Sequence, residues 1–347
     1  MNKLKSTLAA LLVIGFAAPT LFAQSESTAI FLLFPPHARV SGMGEAYVGL
    51  ADDVSAAYIN PGGLAFQQGW QAATTYSPIL PNFNIDDLYY LFGVYRNSVE
   101  GLGTMAFSVL YSSYGKQLQT GEDSPDVIGE FSSNEFALTG SFSTLFSENT
   151  GVGLNVKFIR SNLSPVGAGT EVSSGQSGQA AAFAVGIGVL QKEVFFDQLD
   201  FGLSVTNIGP KMTYIDKRQA DPLPTNFRAG FAYTLVEEEF NKFTILADMN
   251  KQLVNRQDST GVDPVYKAAF TSWKNNDYIY SFGAEYWYAN LLALRMGYYN
   301  DGRGRVKYLS FGVGLKLELL QFDFGYISTA DDHPLANTMR FSFTFGG

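Results

Sequence analysis

From residue 69 to the C terminus, the chain is a series of segments about ten residues long in which apolar and small or polar residues alternate. This period of two is the pattern of a β-strand with two different faces. Ten residues is also the length that a tilted strand needs to cross the hydrocarbon layer of a membrane. We count fourteen such segments, an even number, at 69–76, 88–95, 102–111, 131–145, 151–161, 179–190, 200–208, 225–235, 242–250, 278–288, 291–299, 307–317, 319–327 and 338–345.

The two faces of these strands differ in a way that favours a membrane barrel. In segment 307–317, Leu309, Phe311 and Val313 form one row, and Ser310 and Gly312 form the opposite row. A soluble sandwich also alternates, with its apolar row facing the core. Full apolar rows opposed by glycine favour strands whose apolar side faces lipid, so we predict an all-β transmembrane barrel of about fourteen antiparallel strands.

The connections between the segments support the barrel independently. Bacterial outer-membrane barrels have short periplasmic turns and longer outer loops. The connections after even-numbered segments are short: 96–101, 146–150, 191–199, 236–241, 289–290 and 318. The connections after odd-numbered segments are longer: 77–87, 112–130, 162–178, 209–224, 251–277, 300–306 and 328–337. A sandwich has no reason to sort its loops in this way.

The composition limits the classes of function. Aromatic residues make up 15% of the chain and charged residues only 16%, whereas charged residues usually supply about a quarter of a soluble domain. Aromatic girdles at the two membrane interfaces would account for this balance. The net charge of −9 argues against a nucleic-acid partner, and the absence of cysteine excludes disulfides and thiolate metal sites.

Three parts of the chain follow from these patterns. Residues 1–23 have the basic start, the short apolar core and the small-residue end of a cleaved signal peptide. Residues 24–68 form an N-terminal segment and plug, and residues 69–347 form the barrel. The predicted location is therefore the outer membrane of a Gram-negative bacterium.

The stretch from Ala38 to Phe66 is rich in glycine and does not fit a strand. We predict that it is a plug containing a short helix, which begins at an Asp52 cap and ends at the turn residues that follow. Small residues would allow this stretch to enter a lumen. The plug motif consists of Gly42, Met43, Gly44, Asp52, Asp53, Asn60 and Pro61.

No catalytic or metal site is predicted. The two histidines, His37 and His333, are interpreted as solvated loop residues, so no histidine is available to activate a nucleophile. The carboxylate pairs 52–53, 86–87 and 331–332 lack the dense run of oxygen ligands that calcium requires. We therefore expect a protein that is not an enzyme and that needs no cofactor.

The predicted lumen carries charges of both signs. A general pore usually has a ring of one sign, whereas mixed charges can pair across a filled interior or hold a plug. We therefore interpret the interior as occupied. The predicted lumen-facing charges are Lys157, Arg228, Asp248, Glu285, Arg295, Lys316, Asp323 and Arg340.

Several motifs carry a family resemblance. The stretch 38–46, ARVSGMGEA, with Asp52-Asp53 and Asn60-Pro61, resembles the N-terminal signature of FadL-like outer-membrane barrels. Later motifs are similar to the PorV (PorV/PorQ) branch of that superfamily: VTNIGPK at 205–211, LPTNFR at 223–228, ADMNK at 247–251, FGAEY at 282–286, RMGYY at 295–299 and the end at 334–345. The similarity extends over essentially the whole chain after the signal region.

The resemblance implies a fourteen-stranded barrel with an N-terminal hatch and a role in type IX secretion. Members of this branch bind the C-terminal signal domain of exported cargo, accept it from the translocon channel and deliver it to the surface attachment complex. The implied partners are therefore outer-membrane lipid, the translocon, cargo signal domains and the attachment machinery. The alternative that the sequence leaves open is a FadL-like channel for uptake of hydrophobic small molecules.

Overall fold

Fourteen antiparallel strands close into a barrel in the computed structural model, which confirms the predicted fold class. The structure describes residues 27–83, 85–120, 126–164, 178–214, 220–257, 261–330 and 333–347. The predicted signal peptide, residues 1–23, lies outside these ranges, as do residues 331–332 of one carboxylate pair. The strands are β1 (Trp70–Pro78), β2 (Leu88–Val99), β3 (Gly103–Thr120), β4 (Val127–Ser147), β5 (Thr150–Ser164), β6 (Gly178–Gln191), β7 (Leu199–Ile208), β8 (Asn226–Glu237), β9 (Asn241–Gln252), β10 (Tyr278–Tyr288), β11 (Leu292–Asp301), β12 (Val306–Leu317), β13 (Leu320–Ser328) and β14 (Thr338–Gly346).

Each strand pairs with its neighbours in the chain, and β1 pairs with β14 to close the barrel. The closing register runs from Gln71 opposite Gly346 to Tyr76 opposite Phe341. Closure leaves no free sheet edge within the membrane, where unpaired backbone groups are costly.

Alternation along the strands separates two surfaces. On β12, Leu309, Phe311 and Val313 are exposed on the outside, whereas Ser310 and Gly312 are buried inside. The outer row is the lipid-facing surface of the barrel. Aromatic side chains also lie at both ends of the wall. Tyr76, Tyr89 and Tyr111 are neighbours at the outer end, and Trp70 packs against Phe345 at the other end.

The predicted outer loop 112–130 is wrong for most of its length. Strand β3 continues to Thr120 and β4 begins at Val127, and the two remain paired from Lys116 opposite Ser132 to Thr120 opposite Val127. A register shift between Ser113 and Lys116 interrupts the alternation in this region. Backbone hydrogen bonds continue beyond the shift although the apolar alternation does not. A hairpin outside the membrane needs no apolar face, so the sequence pattern does not reveal it.

The described part of the N-terminal segment, residues 27–68, packs inside the barrel. It contains a 3-10 turn (Ile30–Leu33), helix α1 (Ala38–Gly42), helix α2 (Ala56–Ile59) and a second 3-10 turn (Pro61–Phe66). Phe31, Met43, Tyr47, Ile59 and Leu64 are completely or almost completely buried. Each such side chain contributes about 1.5–3 kcal/mol when removed from water, so the hydrophobic core of this molecule lies between the plug and the wall.

One further helix, α3 (Val265–Thr271), lies in the connection between β9 and β10 and is followed by a 3-10 turn (Ser272–Lys274). Residues 256–257 and 261–262 of the same connection form a small antiparallel pair. Within the described ranges, no helix has the length and apolar character needed to cross a membrane.

Candidate functional site: the plug and the lumenal wall

Arg39 of helix α1 joins the plug to the barrel wall through its guanidinium group. Nη1 donates to Asp52 Oδ1 and Asp53 Oδ2, both at 2.7 Å. Nε donates to Glu285 Oε2 at 2.8 Å and Nη2 to Glu285 Oε1 at 2.6 Å, across to strand β10. This fork geometry is the strong, bidentate form of an arginine–carboxylate contact.

The ion network continues along the wall beneath the plug. Arg295 of β11 donates through Nε to Glu285 Oε2 at 2.6 Å and through Nη1 to Asp323 Oδ1 at 2.7 Å. The side chains of Glu285, Arg295 and Asp323 are buried. These residues lie toward the periplasmic ends of their strands, so charges fix the lower half of the plug.

Asp53 is held in its ionised form. Burial by itself raises the pKa of this carboxyl group, but Arg39 and the hydroxyl of Tyr47 outweigh burial and hold the pKa well below its ordinary value. The Tyr47 hydroxyl donates to Asp53 Oδ1 at 2.6 Å. The plug thus keeps a carboxylate that Arg39 can pair with.

The prediction that Asp52 caps the short helix is wrong. Helix α2 begins after Ser55, and the backbone amide of Ser55 donates to Asp53 Oδ1 at 2.7 Å. Asp52 instead pairs with Arg39 and has a side chain that is 41% exposed. The physical reason is that a neighbouring guanidinium competes better for a carboxylate than a neutral amide does.

Backbone groups of the plug are fixed by polar side chains. Asp248 of β9 accepts from the amides of Tyr47 and Val48 through Oδ2, at 2.7 and 2.8 Å. Asn60 donates from Nδ2 to the carbonyls of Val48 and Val189 at 2.9 and 3.0 Å, and its Oδ1 accepts from the Gly62 amide. Pro61 begins the second 3-10 turn and is buried beside Asn60. These contacts tie two turns of the plug to β6 and β9.

Glycine is required where the plug meets the wall most closely. A Cβ atom at Gly42 would lie 2.9 Å from the Cα of Gly312. Gly44 has a φ of +64°, and a Cβ atom there would lie 2.6 Å from the amide nitrogen of Tyr298. The Gly44 amide donates to Ser310 Oγ at 2.8 Å. Met43 between them is fully buried, so this turn is packed backbone against backbone.

A second polar group lies toward the outer side of the plug. Tyr308 donates its hydroxyl hydrogen to Glu45 Oε1 at 2.8 Å. Arg340 donates to the carbonyl of Pro35 at 2.7 Å, and Arg228 donates to the carbonyl of Leu33 at 3.4 Å. The wall therefore contacts the plug on both sides of helix α1.

Most of the predicted lumen-facing charges are buried at the plug–wall boundary. Lys157 donates to Asn207 Oδ1 at 2.6 Å and lies over the ring of Tyr58. Lys316 differs, because it is exposed one residue before the end of β12. The buried residues are Lys157, Arg228, Asp248, Glu285, Arg295, Asp323 and Arg340.

The expectation that both histidines are solvated is wrong for His37, which is 1% exposed. Its Nδ1 accepts from the Arg39 amide at 3.3 Å and so caps helix α1. Burial lowers the pKa of His37 below its ordinary value. His333 is half-buried in the last outer connection, far along the chain from the plug. Across the described residues, no group of three or more His, Asp and Glu side chains is arranged to hold a metal ion.

Sequence reasoning missed Arg39, Tyr47 and Tyr308 as contact residues. A signal for Arg39 was present, since it is the only cation between residues 24 and 68 and is followed by Asp52-Asp53. Its wall partner Glu285 is 246 residues away, and no local pattern connects the two.

The barrel resembles solved structures of small-molecule transporters. The toluene transporter TodX of Pseudomonas putida aligns with a TM-score of 0.58 and 14% identity, covering 89% of this chain and 96% of that one. The toluene transporter TbuX of Ralstonia pickettii aligns with a TM-score of 0.54 and 15% identity, covering 90% and 97%. At this level of identity the likeness shows the fold alone. No curated protein sequence matches the chain.

A family model described as "Type IX secretion system protein PorV" matches residues 23–259, which is more than half of the 347 residues. Together with the barrel fold, this match indicates the outer membrane of a Gram-negative bacterium. It also confirms the predicted PorV family. The chain belongs to the PorV family of type IX secretion system proteins.

Proposed function

We propose that this barrel binds the C-terminal signal domain of secreted cargo and passes the cargo from the type IX translocon to the surface attachment machinery. In this proposal the protein is not an enzyme, and it acts through protein partners at its outer side. Membership of the PorV family supports the role in secretion. The details of cargo binding and transfer are the proposed part.

The observation that carries the proposal is the fixed plug. Withdrawing the plug would separate Arg39 from Glu285, so the buried carboxylate of Glu285 would lose one of its two arginine partners. Removing one member of a buried ion pair costs about 3–5 kcal/mol. A plug held in this way is unsuited to repeated withdrawal for the passage of a substrate, which favours the outer surface as the working surface.

The hairpin formed by β3 and β4 is the tallest described element of that surface. The last pair between β2 and β3 is Leu88 with Tyr114, and the last between β4 and β5 is Asn134 with Asn162. Beyond these points, residues 116–120 and 127–132 pair only with each other. Leu118 and Val127 expose apolar side chains there. A projecting hairpin on a rigid barrel is suited to recognition.

The proposal is tested by recovering partners from native outer membranes with a tagged chain. We expect translocon subunits and cargo signal domains to be recovered with the unaltered chain. A variant in which a short glycine-containing turn replaces residues 116–132 should lose cargo while keeping its heat-modifiable migration, the sign of a folded barrel. The matched control shortens the periplasmic turn 192–198 and should recover cargo normally.

The alternative is a channel for hydrophobic small molecules, which the fold of TodX and TbuX keeps under consideration. The channel predicts that a deletion strain loses uptake of hydrophobic substrates, whereas the shuttle predicts that it loses secretion. Loss of hydrophobic-substrate uptake with secretion intact would contradict the proposed shuttle role. Loss of secretion with uptake intact supports it.

A further inference from the structure

Helix α3 and the turn after it present a row of exposed aromatic side chains. Tyr266 is 77% exposed, Phe270 is 80% exposed and Trp273 is 38% exposed. Their spacing of four and then three residues places them on one face of a helix. Aromatic rings of this size contribute strongly when buried, so three of them on one exposed face call for an explanation.

The aromatic row is continuous with the lipid-facing surface of the barrel. The Trp273 ring packs edge-on against Phe227, with 5.3 Å between ring centroids, and lies 6.2 Å from Tyr278. Phe227 and Tyr278 alternate with buried residues and belong to the outward rows of β8 and β10. Both lie at the outer ends of their strands. Helix α3 therefore lies against the outside of the barrel, at the level of the outer membrane–water interface.

The opposite side of the helix is buried and is joined to the segment that leads into the helix. Ala268 and Ser272 are buried. Asp263, just before the helix, accepts from Lys267 Nζ at 2.7 Å through Oδ1 and from Thr271 Oγ1 at 2.8 Å through Oδ2. With Ala268 and Ser272 buried, the aromatic face of the helix is directed outward.

We propose that helix α3 lies on the outer leaflet of the membrane, with Tyr266 and Phe270 inserted among the lipids. Amphipathic helices bind membrane interfaces through an aromatic or aliphatic face, and basic side chains next to that face attract anionic headgroups. Lys274 is exposed beside the aromatic row. Tyrosine, phenylalanine and tryptophan at the interface also continue the aromatic girdle of the barrel.

This role goes beyond cargo transfer. Attachment of helix α3 to the leaflet holds residues 263–277 at the rim of the barrel. The occupant is lipid rather than a protein, because the row merges with a surface that already faces lipid. Nothing in this inference depends on the proposed secretion partners.

The chain contains no cysteine, so single nitroxide labels can be placed without other changes. Four variants are made, Tyr266→Cys, Phe270→Cys, Asn276→Cys and Phe282→Cys, and each is reconstituted in vesicles of three parts phosphatidylcholine to one part phosphatidylglycerol. Phe282 is in the outward row of β10 and reports lipid, whereas Asn276 is exposed in the same connection and reports water. Heat-modifiable migration verifies that each labelled barrel is folded.

The measurement is the ratio of label collisions with oxygen, which enriches in lipid, to collisions with a water-soluble nickel complex. We expect the ratio at positions 266 and 270 to be close to that at 282 and several-fold above that at 276. A ratio at 266 and 270 equal to that at 276 would place the aromatic face in water. That outcome overturns the proposal and leaves the face to a protein partner.

Discussion

Arg39 is the residue on which the attachment of the plug depends most. One guanidinium group contacts two plug carboxylates and one carboxylate of the wall. Because the neighbouring side chains are mostly buried, these contacts are weakly screened by water and salt. The plug position is therefore sensitive to this single side chain.

Arg39→Ala is expected to lower the free energy of unfolding by about 3 kcal/mol, because it removes one of the two arginine partners of the buried Glu285 and the arginine partner of Asp53. Guanidinium titration of the barrel in phosphatidylcholine vesicles, followed by tryptophan fluorescence, measures the change. Lys242→Ala breaks an exposed pair with Glu237 and serves as the control, with an expected loss under about 1 kcal/mol. Equal losses for the two variants would contradict the importance of Arg39.

His37 predicts a dependence of stability on pH. Burial lowers its pKa in the folded protein, with Asp53 and Asp323 partly opposing burial, whereas the unfolded chain has a histidine pKa of about 6.5. Below that pH the unfolded state binds the proton more readily, so stability falls as the pH falls. The slope approaches about 1.4 kcal/mol for each pH unit.

The His37 contribution is isolated by His37→Gln, which cannot titrate. Its unfolding free energy, measured from pH 7.5 down to pH 5, should fall less steeply than that of the unaltered chain. Identical slopes for the two proteins would show that His37 does not sense pH in this range.

At the scale of elements, the turn after helix α1 is packed directly on strands β10, β11 and β12. Gly44 has a left-handed backbone conformation and lies against Tyr298. The glycine-rich pattern of residues 38–49 predicted close backbone approach there. It could not predict which strands would be approached, because several strands of the barrel have small inward residues.

Gly44→Val is expected to destabilise the protein by about 2–5 kcal/mol, from left-handed strain together with overpacking against backbone. Gly93→Val is the matched control, since a Cβ atom at Gly93 meets nothing within 4 Å. Chemical denaturation of both variants makes the comparison. If Gly44→Val unfolds no more easily than Gly93→Val, the close packing of the turn is refuted.

The strands themselves could be predicted because a membrane imposes alternation on every spanning residue. Where the membrane ends, that constraint ends as well. The sequence pattern therefore predicts a loop for the upper part of the β3–β4 hairpin, although its backbone pairing continues to Thr120 and Val127. Asp52 was assigned to a cap because local reasoning sees neighbours in sequence and not Arg39 thirteen residues earlier.

At the scale of the whole molecule, the barrel and the plug form one closed unit. Ala38 donates its amide hydrogen to Ser342 Oγ at 2.9 Å, so the start of helix α1 contacts the last strand across 304 residues of sequence. Contacts of this separation determine where the plug lies, and they explain why its position could not be derived from sequence. The central claim is that the plug stays in place while the outer surface works.

A reversible lock between the plug and the wall tests this claim most directly. Ala38→Cys and Ser342→Cys together introduce thiols at two residues in contact, in a chain that has no other cysteine, and mass spectrometry of the peptides verifies the disulfide. Secretion of type IX cargo is then measured in a strain whose own copy has been replaced by this variant. We predict secretion at the normal level with the disulfide formed. Secretion that stops when the bridge forms and resumes when it is reduced would contradict a fixed plug.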